Sequence, residues 1–144
     1  MGEGNSYFTL AKIMGGKIIP IKLKDYTYDL EEIARRINKK TKIIFICNPN
    51  NPTGTIVDKE AVDRFIKQVP EDVVVVFDEA YYDYVEDENY PNSLSYVLEE
   101  KNVIVLRTFS KIAVIAGVRI GYLNRVVNPC DGARKRAVCY NAIN

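Results

Sequence analysis

Val73-Val74-Val75-Val76-Phe77-Asp78-Glu79 is a run of five apolar residues followed at once by two carboxylates. Strict alternation would mark a strand with one wet face. Apolar side chains at every position suit a strand covered on both faces, as in a parallel sheet. Two similar runs flank it. Lys42 to Cys47 leads into Asn48-Pro49-Asn50-Asn51, and Val103 to Leu106 leads toward Thr108-Phe109-Ser110-Lys111. All three runs end in polar, loop-forming residues, and in open α/β sheets ligands sit beyond the carboxyl ends of the strands.

The segments between these runs carry helical periodicity. Asp29 is placed to cap a helix with Leu30, Ile33, Ala34 and Ile37 on one face, and Glu32 nearly completes a capping box. Asp58 is placed to cap another, with Val62, Phe65, Ile66 and Val69 as its buried stripe. Tyr7 to Met14 reads as a short helix stopped by Gly15-Gly16, and Ser93 to Glu100 as another. Lys17 to Leu23 and Val118 to Tyr122 read as further strands. Strands alternating with amphipathic helices predict an α/β fold: a mainly parallel sheet with helices on both faces and right-handed crossovers.

A chain of 144 residues suits one domain with a real core. With 20 basic against 19 acidic residues, charge gives no reason to expect nucleic acid or an anionic membrane as a partner. No apolar run approaches the length of a membrane span, and the N-terminus lacks the basic-then-apolar layout of a signal peptide. Met1-Gly2 with Ser6 fits the bare myristoylation pattern, which arises often by chance. Three cysteines and no histidine argue for free thiols in a reducing cytoplasm and against a zinc site.

Three segments carry chemistry. Cys47-Asn48-Pro49-Asn50-Asn51-Pro52-Thr53-Gly54-Thr55 is a double Asn-Pro turn: either plain loop chemistry, or a rigid loop offering the Asn51 amide to a ligand oxygen. Asp78, directly after an apolar strand, lies where an unpaired carboxylate is costly. It reads as a cap, or as the partner of a buried cation such as a protonated pyridine nitrogen, with Tyr81 able to present its phenol to the same ring. Lys111 follows the third strand, with hydroxyls at Thr108 and Ser110 and a fixed cation at Arg119. Lysine's ordinary pKa of about 10.4 is too high for a good nucleophile. Partial burial and Arg119 would both favour the neutral amine that forms imines. Arg119 and the hydroxyls suit a phosphate.

In this order and spacing, Asn48-Pro49-Asn50-Asn51-Pro52-Thr53-Gly54, Asp78-Glu79-Ala80-Tyr81 and Arg107-Thr108-Phe109-Ser110-Lys111 resemble the fold-type-I aminotransferases, above all their histidinol-phosphate branch. The resemblance covers Tyr7 to Tyr122 and implies that 1–122 is part of a large domain that binds pyridoxal 5'-phosphate. It implies that Lys111 joins the cofactor's aldehyde, that Asp78 pairs with the pyridinium nitrogen, and that Asn51 and Tyr81 hydrogen-bond the ring's phenolic oxygen. Thr108, Ser110 and Arg119 would bind the phosphate. The implied reaction passes an amino group from a small-molecule donor to a 2-oxo acid, in a cytoplasmic homodimer when the protein is complete. Threonine-phosphate decarboxylase and aromatic or aspartate-type aminotransferases share much of this machinery. A catalytically inactive remnant, or a fragment that complements another chain, is the reading from a different class.

The sequence also departs from that family. Complete members are far longer, with a phosphate-holding helix N-terminus and a ring-stacking aromatic upstream, and an arginine for the substrate carboxylate downstream. A chain of 1–144 alone is therefore expected to be inactive. Val114 stands where the family usually has glycine, and its branched side chain would crowd the turn that places Lys111. From Leu123 to Asn144 the resemblance stops, and Arg125, Arg134, Lys135 and Arg136 read as a divergent basic tail from outside the ancestral frame.

Overall fold

A computed structural model describes residues 5–125. Gly2, Cys130, Cys139 and residues 126–144 of the basic tail lie outside the described residues. In chain order the elements are α1 (Asn5–Ile13), α2 (Leu30–Arg36), β1 (Ile43–Cys47), α3 (Lys59–Gln68), β2 (Val74–Asp78), α4 (Ser93–Leu98), β3 (Val103–Thr108) and β4 (Gly121–Arg125). The sheet order is β1-β2-β3-β4, with the first three strands parallel and β4 antiparallel to β3.

Register decides which side chains share a face. Ile46 pairs with Phe77 and Phe77 with Val105, so by the period of two Ile44, Val75 and Val103 lie on that face as well. Leu30 and Ile33 of α2, Val62, Phe65 and Ile66 of α3, and Tyr96 and Val97 of α4 close the core over it. Phe45, Val76 and Ile104 line the opposite face in register. There Tyr7 of α1 stacks on Phe45, with ring centroids 4.5 Å apart. Helices therefore pack on both faces, as the sequence predicts.

The helix starts follow from their caps. Asp29 accepts from the Glu32 N–H at 2.9 Å, and Asp58 from the Ala61 N–H at 2.8 Å. The reciprocal half of the expected capping box is replaced: the Glu32 carboxylate turns to Arg36 at 2.7 Å and Arg35 at 3.0 Å.

Two strand expectations need correction. Residues 17–23 form no strand. Pro20 has no N–H to give a ladder, and Ile19 and Leu23 stay exposed while only Ile21 packs on the core. The last strand begins at Gly121 rather than Val118, because Ala116–Val118 coils into a 3-10 turn and Arg119 takes a left-handed φ of 56°. Glycine suits the first position of this strand, since a Cβ on Gly121 would lie 2.9 Å from the Arg107 carbonyl oxygen. Leu123 belongs to β4, so the sheet runs past the expected boundary at 122.

Phe77 is fully buried, whereas Ile43, on the edge strand, is 54% exposed. Phe77→Ala is expected to cost about 3–5 kcal/mol in urea unfolding, from lost burial and the cavity left behind. Ile43→Ala is expected to stay within about 0.5 kcal/mol of the parent.

Candidate functional site

The parallel register brings the ends of β1, β2 and β3 to one edge of the sheet, with Cys47 opposite Asp78 and Asp78 opposite Leu106. The loop after β1 is closed by the buried Asn48. Its N–H donates to the Asp78 carbonyl at 3.0 Å, while its side chain accepts from the Val57 N–H at 2.9 Å and donates to the Val57 carbonyl at 3.4 Å. Both Asn48-Pro49 and Asn51-Pro52 are cis, and Gly54 turns the loop at a φ of 71°. The Thr53 and Thr55 hydroxyls tie it to the Tyr26 carbonyl at 3.1 and 2.7 Å.

From this loop the Asn51 amide donates to the Tyr81 hydroxyl at 3.0 Å. Lys111 arrives from the third strand end, half-buried, with Nζ 4.9 Å from the centre of the Tyr81 ring. Three residues singled out in sequence thus meet from three separate loops. Thr108 and Ser110 also lie together: the Thr108 hydroxyl donates to Ser110 Oγ at 2.9 Å and accepts the Ser110 N–H at 3.1 Å. The Phe109 N–H then pins this turn to the Ile120 carbonyl at 3.2 Å. Arg119 is the outlier. Its backbone adjoins the turn, but its exposed guanidinium bonds back to the Ala116 carbonyl at 3.4 Å.

Asp78 has a neighbour that sequence reasoning missed. Its Oδ1 accepts the Ala80 N–H at 3.2 Å, and its Oδ2 accepts the phenol of Tyr7. The sequence marks Tyr7 only as the start of a helix. The nearest signal is an aromatic polar residue on a helix that packs against the face Asp78 occupies.

Beside Asp78, Glu79 is paired with a buried cation of the chain itself, Arg107. Arg107 Nε and Nη2 each lie 2.8 Å from Glu79 Oε2, with side-chain exposures of 9% and 0%. The guanidinium sits 3.3 Å from the centre of the Tyr82 ring, a cation–π contact. Burial pushes the Glu79 carboxyl above the usual carboxylate range, opposed by Ser93, Arg107 and Tyr90. For Arg107, burial acts to lower the pKa, and the charge and hydrogen bond of Glu79 overcome it and hold the group above its ordinary value. Burial, then the Glu79 charge, raises the Tyr90 phenol, which donates to the Asn48 carbonyl. Glu79 Oε1 and Ser93 Oγ are buried with no hydrogen-bond partner of ordinary geometry.

The strand ends thus set an amide against a phenol, an amine over that phenol's ring, two hydroxyls in one turn, and a carboxylate at the end of β2. An adjoining cleft of about 480 Å3, lined by Asn51, Gly54, Tyr81, Tyr84 and Asp87 among others, is not lined by Asp78 or Lys111.

The family described as aminotransferase class I and II matches residues 5–141. A histidinol-phosphate aminotransferase of Caldicellulosiruptor saccharolyticus is 54% identical over 116 residues, covering 81% of this chain and 32% of that protein. An aromatic amino acid aminotransferase of Mycobacterium avium is 45% identical over 116 residues, covering 81% of this chain and 33% of that protein. Among solved structures, histidinol-phosphate aminotransferase from Sinorhizobium meliloti in complex with pyridoxal-5'-phosphate matches with a TM-score of 0.78 and 30% identity, over 86% of this chain and 34% of that one. The chain spans about a third of the length of the curated relatives it matches.

Val114 lies three residues past Lys111 at a φ of 56°, with its side chain 84% exposed. A branched residue in the left-handed region costs roughly 1–2 kcal/mol, which glycine avoids at some entropic cost. Val114→Gly is expected to stabilise the chain by about 1 kcal/mol in urea unfolding. A loss of stability would show that the valine side chain makes a contact worth more than the strain.

Proposed function

This chain belongs to the class I and II aminotransferase family, and from that premise we propose that it is the cofactor-binding part of a pyridoxal-phosphate-dependent histidinol-phosphate aminotransferase, with Lys111 holding the cofactor. The observation that carries this reading is the meeting of Asn51, Tyr81 and Lys111 from three strand ends, at 3.0 Å and 4.9 Å from parts of one tyrosine.

The residues present fit the group. Asp78 is a half-buried carboxylate fixed through both oxygens, suited to a pyridinium nitrogen. Asn51 and Tyr81 already share a hydrogen bond and together suit the ring's phenolic oxygen. Thr108 and Ser110 offer adjacent hydroxyls for the phosphate, and Arg119 would join them if its guanidinium left the Ala116 carbonyl.

When bound, pyridoxal phosphate supplies an electron sink that makes a substrate Cα–H acidic. The work of the chain is to hold and to move protons. Lys111 would hold the cofactor through its amine, and that amine, when released, would take up the substrate Cα proton and carry it at Nζ. Asp78 would favour the protonated ring nitrogen, because a neighbouring carboxylate stabilises its charged form. Asn51 and Tyr81 would orient the ring and offset negative charge on its oxygen.

Histidinol phosphate as amino donor and a 2-oxo acid as acceptor are supported by the relatives from Caldicellulosiruptor saccharolyticus and Moorella thermoacetica, at 54% and 50% identity. The same reading places the complete protein in the cytoplasm as a homodimer. No helix among the described residues is long and apolar enough to cross a membrane.

The test is covalent. Pyridoxal phosphate is added to the purified chain, the adduct is reduced with borohydride, and the labelled peptide is mapped by mass spectrometry. The label is expected on Lys111 and is expected to vanish in Lys111→Ala. Label spread over exposed lysines such as Lys39 and Lys101 would overturn the assignment.

A further inference from the structure

We infer that the buried Glu79–Arg107 pair is a positioning device that holds the strand-end loops in the mutual arrangement their chemistry needs; its bearing on Lys111 rests on the function proposed above. Two adjacent residues divide the labour at the end of β2. Asp78 meets Tyr7 on the α1 face of the sheet, while Glu79 is buried and meets Arg107. Arg107 directly precedes Thr108, whose hydroxyl begins the turn to Lys111.

The pair's connections extend from the loop after β1 to β4. The Glu79 N–H donates to the Leu106 carbonyl at 2.9 Å, so backbone and side chains bind the ends of β2 and β3 together. Tyr90, beside Glu79, donates to the Asn48 carbonyl and draws in the loop after β1. Arg107 also stands opposite Tyr122 across β3 and β4.

The energetics point away from a simple stabilising role. Desolvation of a buried ion pair offsets most of its attraction, and well-packed apolar replacements often leave stability equal or higher. Here the desolvation is nearly complete, with the Arg107 and Glu79 side chains 9% and 0% exposed. A guanidinium fork imposes direction and distance on a carboxylate, which apolar contact does not. What the pair contributes is the placement of Glu79, and so of Asp78, relative to Arg107, and so of Thr108 and Lys111.

Glu79→Met combined with Arg107→Leu removes both charges and keeps the volume apolar. Urea unfolding, amide hydrogen exchange of the cofactor-free chain, and pyridoxyl labelling read the result. The double variant is expected to be at least as stable as the parent, with unchanged exchange in β1 to β3. The Asn50, Gly54, Phe109 and Ser110 amides are expected to exchange about tenfold faster. The share of label on Lys111 is expected to fall with them. Tyr90→Phe is expected to speed Asn50 and Gly54 alone. Parent-like exchange at these amides in the double variant overturns the inference. So does a loss of stability with faster exchange throughout, which would make the pair an ordinary structural element. If the parent chain shows no label on Lys111, the proposed function fails, and the exchange measurement still decides the role of the pair.

Discussion

A one-residue slip of β2 against its neighbours would exchange Asp78 and Glu79 between the two faces of the sheet. The observed register, with Cys47 opposite Asp78 and Asp78 opposite Leu106, is what gives each carboxylate its own environment. One meets a phenol from α1; the other meets a guanidinium in the interior. The register itself is held by side chains that carry no chemistry. Ile46, Phe77 and Val105 are fully buried in a row, and any slip would turn that row toward the wrong face.

Much of this was legible in the sequence, for physical reasons. A strand buried on both faces needs apolar residues without alternation, and residues 73–77 meet that need. Asp29 and Asp58 cap because a short carboxylate before a helix finds free N–H groups. The convergence of Asn51, Tyr81 and Lys111 was readable from their places after successive strands of one parallel sheet. The rest was hidden for equally physical reasons. Residues 17–23 look like a strand, but a strand exists only with a neighbour to share its ladder. Two adjacent carboxylates cannot be told apart until the face each occupies is known. The Tyr7–Asp78 bond spans a sequence distance that no local pattern reports. The direction of the Arg119 guanidinium depends on a left-handed backbone at that residue, which composition does not reveal.

The loop after β1 shows how a polar segment is accommodated in the interior. Asn48 is almost fully buried, yet its main chain and side chain together make bonds to Asp78, Val57 and Tyr90. A buried amide left without such partners would destabilise the fold by the full loss of its hydration. The loop is therefore rigid at its root and presents Asn51 from a settled base. The Lys111 side is built differently, with the turn at Val114 holding a conformation that its side chain resists. Firm support on one side of the candidate site thus faces a strained turn on the other.

The crossovers that create this arrangement also govern how it comes into being. Glu79 finds Arg107 across 28 residues of chain, Asn51 finds Tyr81 across 30, and Tyr7 finds Asp78 across 71. Each contact closes a long loop before it contributes anything, and topologies of that kind fold slowly beside helical bundles of equal size. During synthesis, the residues after β1 and β2 leave the ribosome well before the arginine that anchors them. Until Arg107 is available, closing the interior around Glu79 would bury an unpaired charge, which costs several kcal/mol.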